Sequence, residues 1–164
     1  MDLTQMDLDQ QIQLLIKNAP QDGTTPTLIE AIAPVLTQLA KQLRHLAYYI
    51  PQTLEQDWAI TTLESRTQPP EEKTVIYAYP TLKDVTLGPY PIQDPQMIAL
   101  PVPATHILFQ MLAMEAVDST IFFEVPGNVV NGTEIQREQL TQLIQSHLSS
   151  KQPEAGSTLP PNIA

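Results

Sequence analysis

Asp57-Trp58-Ala59-Ile60-Thr61-Thr62-Leu63, followed by Lys73-Thr74-Val75-Ile76-Tyr77-Ala78-Tyr79, is where the chain changes its apolar period from that of a helix to that of a strand. Trp58, Ile60 and Thr62 alternate with Ala59, Thr61 and Leu63. The second run is rich in β-branched and aromatic side chains, which suit a pleated, half-buried surface. Gln68-Pro69-Pro70-Glu71-Glu72 separates the two runs, so together they predict an antiparallel hairpin and a chain that folds as a layer beyond residue 56.

Upstream of this point the period is helical. Leu8, Ile12, Leu15 and Ile16 form a stripe within Leu3–Ala19. Asp2, Asp7 and Asp9 crowd its start and Lys17 lies near its end, as the helix dipole favours. Pro20-Gln21-Asp22-Gly23 reads as a turn, with Thr25 as N-cap and Pro26 at the first position of a second helix. The stripe of that helix is Leu28, Ile32, Val35, Leu36, Leu39, Leu43, Leu46, Ile50, ended by Pro51, with a kink or restart expected at Pro34. Residues 1–56 are therefore expected to be an N-terminal helical hairpin.

Downstream, Leu82 and Val85 suggest a short helix, and Pro89, Pro91 and Pro95 an extended loop. Gln96–Leu100 reads as a strand, Ala104–Ala116 as a helix apolar nearly all round, and Asp118–Val125 as a further strand. That order predicts a βαβ unit with a parallel crossover. Asn131-Gly132 is a hairpin signal, with short strands expected about Val129-Val130 and Thr133–Ile135. Leu140, Leu143, Ile144 and Leu148 mark a last helix over Gln136–Ser149. The expected fold is α+β: the helical hairpin, then a mixed sheet of four or five strands with a βαβ unit and a C-terminal helix over 57–150. A disordered Pro/Ser-rich tail is expected over 151–164.

From Lys73 onward, the order of a strand ending at Tyr79-Pro80-Thr81, a short helix, a strand (Met97–Leu100), a helix (Pro103–Ala116), a strand leading to Pro126-Gly127-Asn128 and a helix after Ile135 resembles the N-terminal domain of the SseB family. The resemblance covers about half of the chain. It implies a fold and a non-catalytic accessory protein, and it supplies no catalytic residue.

Composition narrows the function classes. Among 164 residues, 8 Lys and Arg face 18 Asp and Glu, a net charge of −10 that opposes binding to nucleic acid or anionic lipid. Without cysteine there is no disulfide, thiolate metal site or thiol nucleophile. No long apolar run and no leader-like start are found, so a soluble cytoplasmic protein is expected. The five glycines never form a phosphate-binding loop, and no serine sits in a nucleophile elbow. No cofactor, metal site or catalytic residue is assigned. His45, His106 and His147 are separated along the chain, and Glu115, Asp118 and Glu124 flank the central helix and strand, where surface positions are the ordinary outcome for carboxylates.

The densest group of reactive side chains is Arg44–Tyr49, where a helix would place Arg44 beside Tyr48 and His45 beside Tyr49. His45, Tyr48, Tyr49 and Trp58 are thus the candidate ligand or partner surface. The expected function is that of a non-catalytic accessory protein, docking a protein partner or a second copy through a helical apolar surface. The alternative is a small-molecule-binding module or an enzyme of unrecognised type, with a pocket between the helical hairpin and the sheet.

Overall fold

Asp7 caps the first helix. Its carboxylate accepts from the Gln10 N–H at 2.8 Å, and the Gln10 side-chain oxygen accepts from the Asp7 N–H at 3.0 Å. The computed structural model describes residues 5–88 and 96–151; Asp2, the loop at Pro89, Pro91 and Pro95, and the tail beyond Lys151 lie outside them. Helix α1 (Leu8–Asn18) packs on α2 (Thr25–Ala40), so the two helices form the expected pair. The cap of α2 is Thr24 rather than Thr25, and it makes no side-chain cap bond. Asp22 satisfies the exposed donors instead, accepting from the N–H groups of Thr25 and Thr24 at 2.8 and 2.9 Å, and these bonds hold its carboxyl well below the usual range.

Strands β1 (Ala47–Thr53), β2 (Thr61–Glu64), β3 (Glu72–Ala78), β4 (Met97–Pro103), β5 (Ser119–Phe123) and β6 (Gly132–Gln136) follow, with α3 (Leu82–Leu87), α4 (Ala104–Ala113) and α5 (Arg137–Lys151). The second helix therefore ends at Ala40, and the expected helical extent of residues 1–56 is corrected. It runs through Pro34 without interruption. The stripe positions Leu43, Leu46 and Ile50 belong to a bend and a strand, because Tyr48, Tyr49 and Ile50 favour the pleat and find ladder partners in β4, from Ala47 opposite Pro103 to Thr53 opposite Met97.

β2 and β3 form the expected antiparallel hairpin, and the larger sheet has the order β2-β3-β5-β6. β1 and β4 make a separate ribbon, tied to the end of β3 by reciprocal backbone bonds between Tyr49 and Tyr79 at 2.7 and 3.0 Å. The parallel pair is β3 with β5, not β4 with β5. Pro101 and Pro103, two apart, lack donors on the same side of β4 and so suit it to an edge rather than to the middle of a sheet. Asn131-Gly132 is likewise not a two-residue turn. Gly132 opens β6 opposite Phe123, where an added Cβ would lie 2.8 Å from the Ile121 Cγ2 and 2.9 Å from the Phe122 carbonyl oxygen. The architecture is α+β, with an N-terminal helix pair, mixed strands with a parallel crossover, and a C-terminal helix.

Strand alternation divides the core. Ile76, Ala78 and Phe122 face the helices, where Ile107, Leu108 and Met111 of α4 are fully buried among α1, α2 and α5. Val75, Tyr77, Tyr79 and Phe123 form a second cluster on the opposite face with Val85 of α3. The apolar helix read from sequence is thus enclosed, as its all-round pattern predicts.

One polar side chain crosses the helical core. Gln11, fully buried, donates to the carbonyls of Met6 and Leu46 at 3.0 and 2.8 Å and accepts from the Thr105 N–H and hydroxyl at 3.1 and 2.8 Å. Its backbone carbonyl accepts from the His106 Nε2 at 2.9 Å. Burial holds the His106 imidazole below its usual value, against the opposing effect of that bond. A folded-state value lying below the unfolded one means that stability is fully present above about pH 6.5 and is lost as pH falls through the folded value. His106→Gln, which retains a donor, is therefore expected to flatten the decline in urea midpoint as pH falls below about 6.5. An unchanged slope would remove His106 as its source.

Candidate functional site

Glu124 follows β5, and the alternation that points Phe122 toward the helices carries its carboxylate inward as well, to 9% exposure. Tyr48, on the same face of β1, is fully buried and donates its hydroxyl to Glu124 Oε1. That hydroxyl also accepts from the His45 N–H at 3.3 Å. Glu124 Oε2 accepts from the Arg44 N–H at 3.2 Å and from the Thr133 hydroxyl at 3.5 Å. The Glu124 carbonyl in turn accepts from the His45 Nε2 at 2.7 Å, which places the proton on that nitrogen. Burial, then the Glu124 carboxylate, keeps the Tyr48 hydroxyl well above the usual phenol range, so it remains a donor. These contacts fasten the bend at Arg44-His45 to the end of β5.

Outside this network lies a small cleft of about 250 Å³, lined by His45, Leu46 and Tyr49 from the bend and β1 and by Thr81 and Leu82 from the start of α3. Thr81 caps α3, accepting from the Asp84 N–H at 3.2 Å and donating to Asp84 Oδ2 at 2.7 Å. Asp84, itself buried, accepts from the Gly127 N–H at 2.8 Å, so α3 is pinned to the segment after β5. The bend, α3 and that segment meet at the carboxyl ends of the parallel strands β3 and β5. Ligand sites in open α/β sheets collect at such ends.

The four sequence candidates are divided by this geometry. His45 and Tyr49 line the cleft, Tyr48 lies beneath it, and Trp58 lines a different cleft of about 560 Å³ with Gln52, Asp57 and Gln110. The helical pairings of Arg44 with Tyr48 and His45 with Tyr49 do not form, since the bend and β1 replace the helix there. His45 instead meets Tyr48 edge to face, with ring centroids 5.5 Å apart.

Glu115 and Asp118 share a groove of about 740 Å³ at the amino ends of β3 and β5, whereas Glu124 sits at the other end of β5. Glu64, Glu71, Glu72 and Glu138 also line that groove, with Lys73 and Arg137. Asp118 is engaged in structure, accepting from the Thr74 N–H at 2.8 Å. Lys73 pairs with Glu134. Among the described residues, no three His, Asp or Glu side chains are grouped to hold a metal ion.

Sequence reading overlooked α3 as part of the site. Its signal was Thr81-x-x-Asp84, the spacing of a capping pair. No family model, curated protein or solved structure matches the chain.

Proposed function

We propose that this chain is a non-catalytic accessory protein that docks a protein partner at the cleft between the Arg44–Leu46 bend and α3. The observation that carries the proposal is the pairing of exposed apolar side chains with engaged polar ones. Leu46, Leu82 and Val125 stand 37%, 55% and 44% exposed on the three segments that meet here. Beneath them the Glu124 carboxylate and Tyr48 hydroxyl are spent on each other and on the backbone. The polar network thus acts as a brace, and the apolar rim offers surface to a partner.

The docking face differs from the one first expected. The apolar surface of α4 is consumed by the core, whereas Leu82 and Leu87 of α3 are exposed. A small-molecule pocket built from His45, Tyr48, Tyr49 and Trp58 would need these side chains around one cavity, and they line two clefts or none. The resemblance to an SseB N-terminal domain favours the accessory role. Among the described residues no helix is long and apolar enough to cross a membrane.

Photo-crosslinking in the native host tests the proposal. A photoreactive residue at position 82 or 46 is expected to give one common adduct, absent when it stands at Leu143, an exposed position on α5. Leu82→Asp, at the more exposed position, should abolish the adduct formed at position 46 while shifting stability by no more than about 0.5 kcal/mol, as for other surface substitutions. The same adducts from position 143, or none from 46 and 82, would overturn it.

A further inference from the structure

The alternation of β1 that turns Tyr48 and Ile50 into the helical core turns Gln52 to the same face, where it is only 3% exposed. Its side-chain amide has no hydrogen-bond partner among the described residues. The side-chain atoms of those residues that are both sealed from solvent and unpartnered are Arg137 Nε and His147 Nε2, so the Gln52 amide opens instead into the cleft of about 560 Å³ that it lines. An enclosed amide left unbonded costs stability, and this one faces whatever enters the cleft. We propose that this cleft, at the other end of β1 from the docking surface, binds an uncharged sugar, with the ring against Trp58 and the hydroxyls on Gln52 and Asp57.

A tight hairpin brings these groups together. Gln52 stands opposite Trp58, between backbone bonds from the Ala59 N–H to the Pro51 carbonyl at 2.9 Å and from the Thr53 N–H to the Asp57 carbonyl at 2.8 Å, so the two side chains share a face. Gln56 closes the turn in the left-handed region at φ 70°, and the Asp57 N–H donates to the Thr53 hydroxyl at 3.1 Å. The Asp57 carboxylate itself makes no hydrogen bond or ion pair among the described residues. Half-buried Trp58, Leu100 and Met114 supply the apolar wall, and Gln110 of α4 a further amide. No Lys or Arg lines the cleft, so a phosphorylated or carboxylate ligand would find no counter-charge. Hydroxyls both donate and accept, which suits the amides and the carboxylate together, whereas the edges of nucleobases carry fixed acceptors that a carboxylate repels. The apolar C–H face of a sugar ring can lie on the indole. The volume falls within the roughly 300–1,000 Å³ of small-molecule pockets.

Trp58 is the one tryptophan of the chain, so its fluorescence reports this cleft alone. The full chain is titrated with glucose, galactose, mannose, N-acetylglucosamine and maltose at millimolar concentration, and with adenosine and cytidine for comparison. At least one sugar is expected to shift the Trp58 emission saturably and to raise the thermal midpoint, as linkage requires of a ligand of the native state. Gln52→Leu should weaken that sugar about tenfold, the worth of one hydrogen bond to the ligand, while leaving the sugar-free midpoint unchanged or higher, because leucine removes an unbonded amide and no bond. Asp57→Ala, on the exposed turn, should weaken the sugar to a similar degree without altering the fold. The proposal is overturned by the absence of a saturable shift with every sugar, by a shift with adenosine or cytidine and none with a sugar, or by a bound sugar whose affinity neither substitution changes.

Discussion

Gln11→Ala is expected to lower the free energy of unfolding by about 3–5 kcal/mol, because it strands several buried hydrogen-bonding groups at once. The Gln11 amide is the partner of the Met6 and Leu46 carbonyls and of the Thr105 N–H and hydroxyl. Thr105 lies in the first turn of α4, where backbone N–H groups have no acceptor within the helix. The Leu46 carbonyl also accepts from the Ala104 N–H at 2.9 Å, so the Gln11 side chain and the α4 backbone converge on one oxygen at the bend. Losing the side chain therefore loosens α1, α4 and the bend together. A domain has only about 5–15 kcal/mol of total stability, so the variant should unfold at a much lower urea concentration with a similar m value. Gln11→Leu separates polarity from packing. It retains most of the volume but none of the bonds, and it is expected to fall within about 1 kcal/mol of Gln11→Ala. A leucine variant close to wild type would show that Gln11 acts by filling space.

The same residues show what the amino-acid order disclosed and what it withheld. Elements set by local pattern were legible: the β2–β3 hairpin from its alternation and Pro-rich turn, α4 from its all-round apolar character, and α5 from its stripe. Leu43, Leu46 and Ile50 misled because they fit a helical period that Tyr48 and Tyr49 contradict through β propensity. The decision rests with β4, some fifty residues away. The choice of β3 as the parallel partner of β5 is also non-local, although Pro101 and Pro103 hinted that β4 would be an edge strand. At the site, His45, Tyr48 and Tyr49 were singled out for their chemistry, and their division between cleft and interior follows from the strand replacing the helix. Glu124 carried a readable signal. It continues the alternation of Thr120 and Phe122 and so places a carboxylate where the core begins, but the Tyr48 hydroxyl that makes burial tolerable there comes from a strand the sequence had disguised as helix.

Tyr48→Phe is expected to cost about 3 kcal/mol, since it removes the donor to Glu124 Oε1 and the acceptor of the His45 N–H in one step. Glu124→Leu should cost a similar amount for the complementary reason: the buried Tyr48 hydroxyl and the Arg44 N–H lose their acceptor. If the two side chains act as one unit, the double variant should be little worse than either single one, with a coupling energy of about 2 kcal/mol or more from the cycle. Additive losses would mean that each residue serves a separate structure. The pair also has a local consequence that global stability does not report. Glu124 holds the bend through the Arg44 N–H, so Glu124→Leu should speed amide exchange at Arg44 more than in α4, whose core contacts it leaves intact. Crosslinking from position 46 should then decline even at temperatures where the variant is fully folded, because the bend that positions Leu46 opposite Leu82 has lost its brace. Uniformly faster exchange would place the carboxylate in the general core; a change confined to the bend would make it the group that shapes the docking surface.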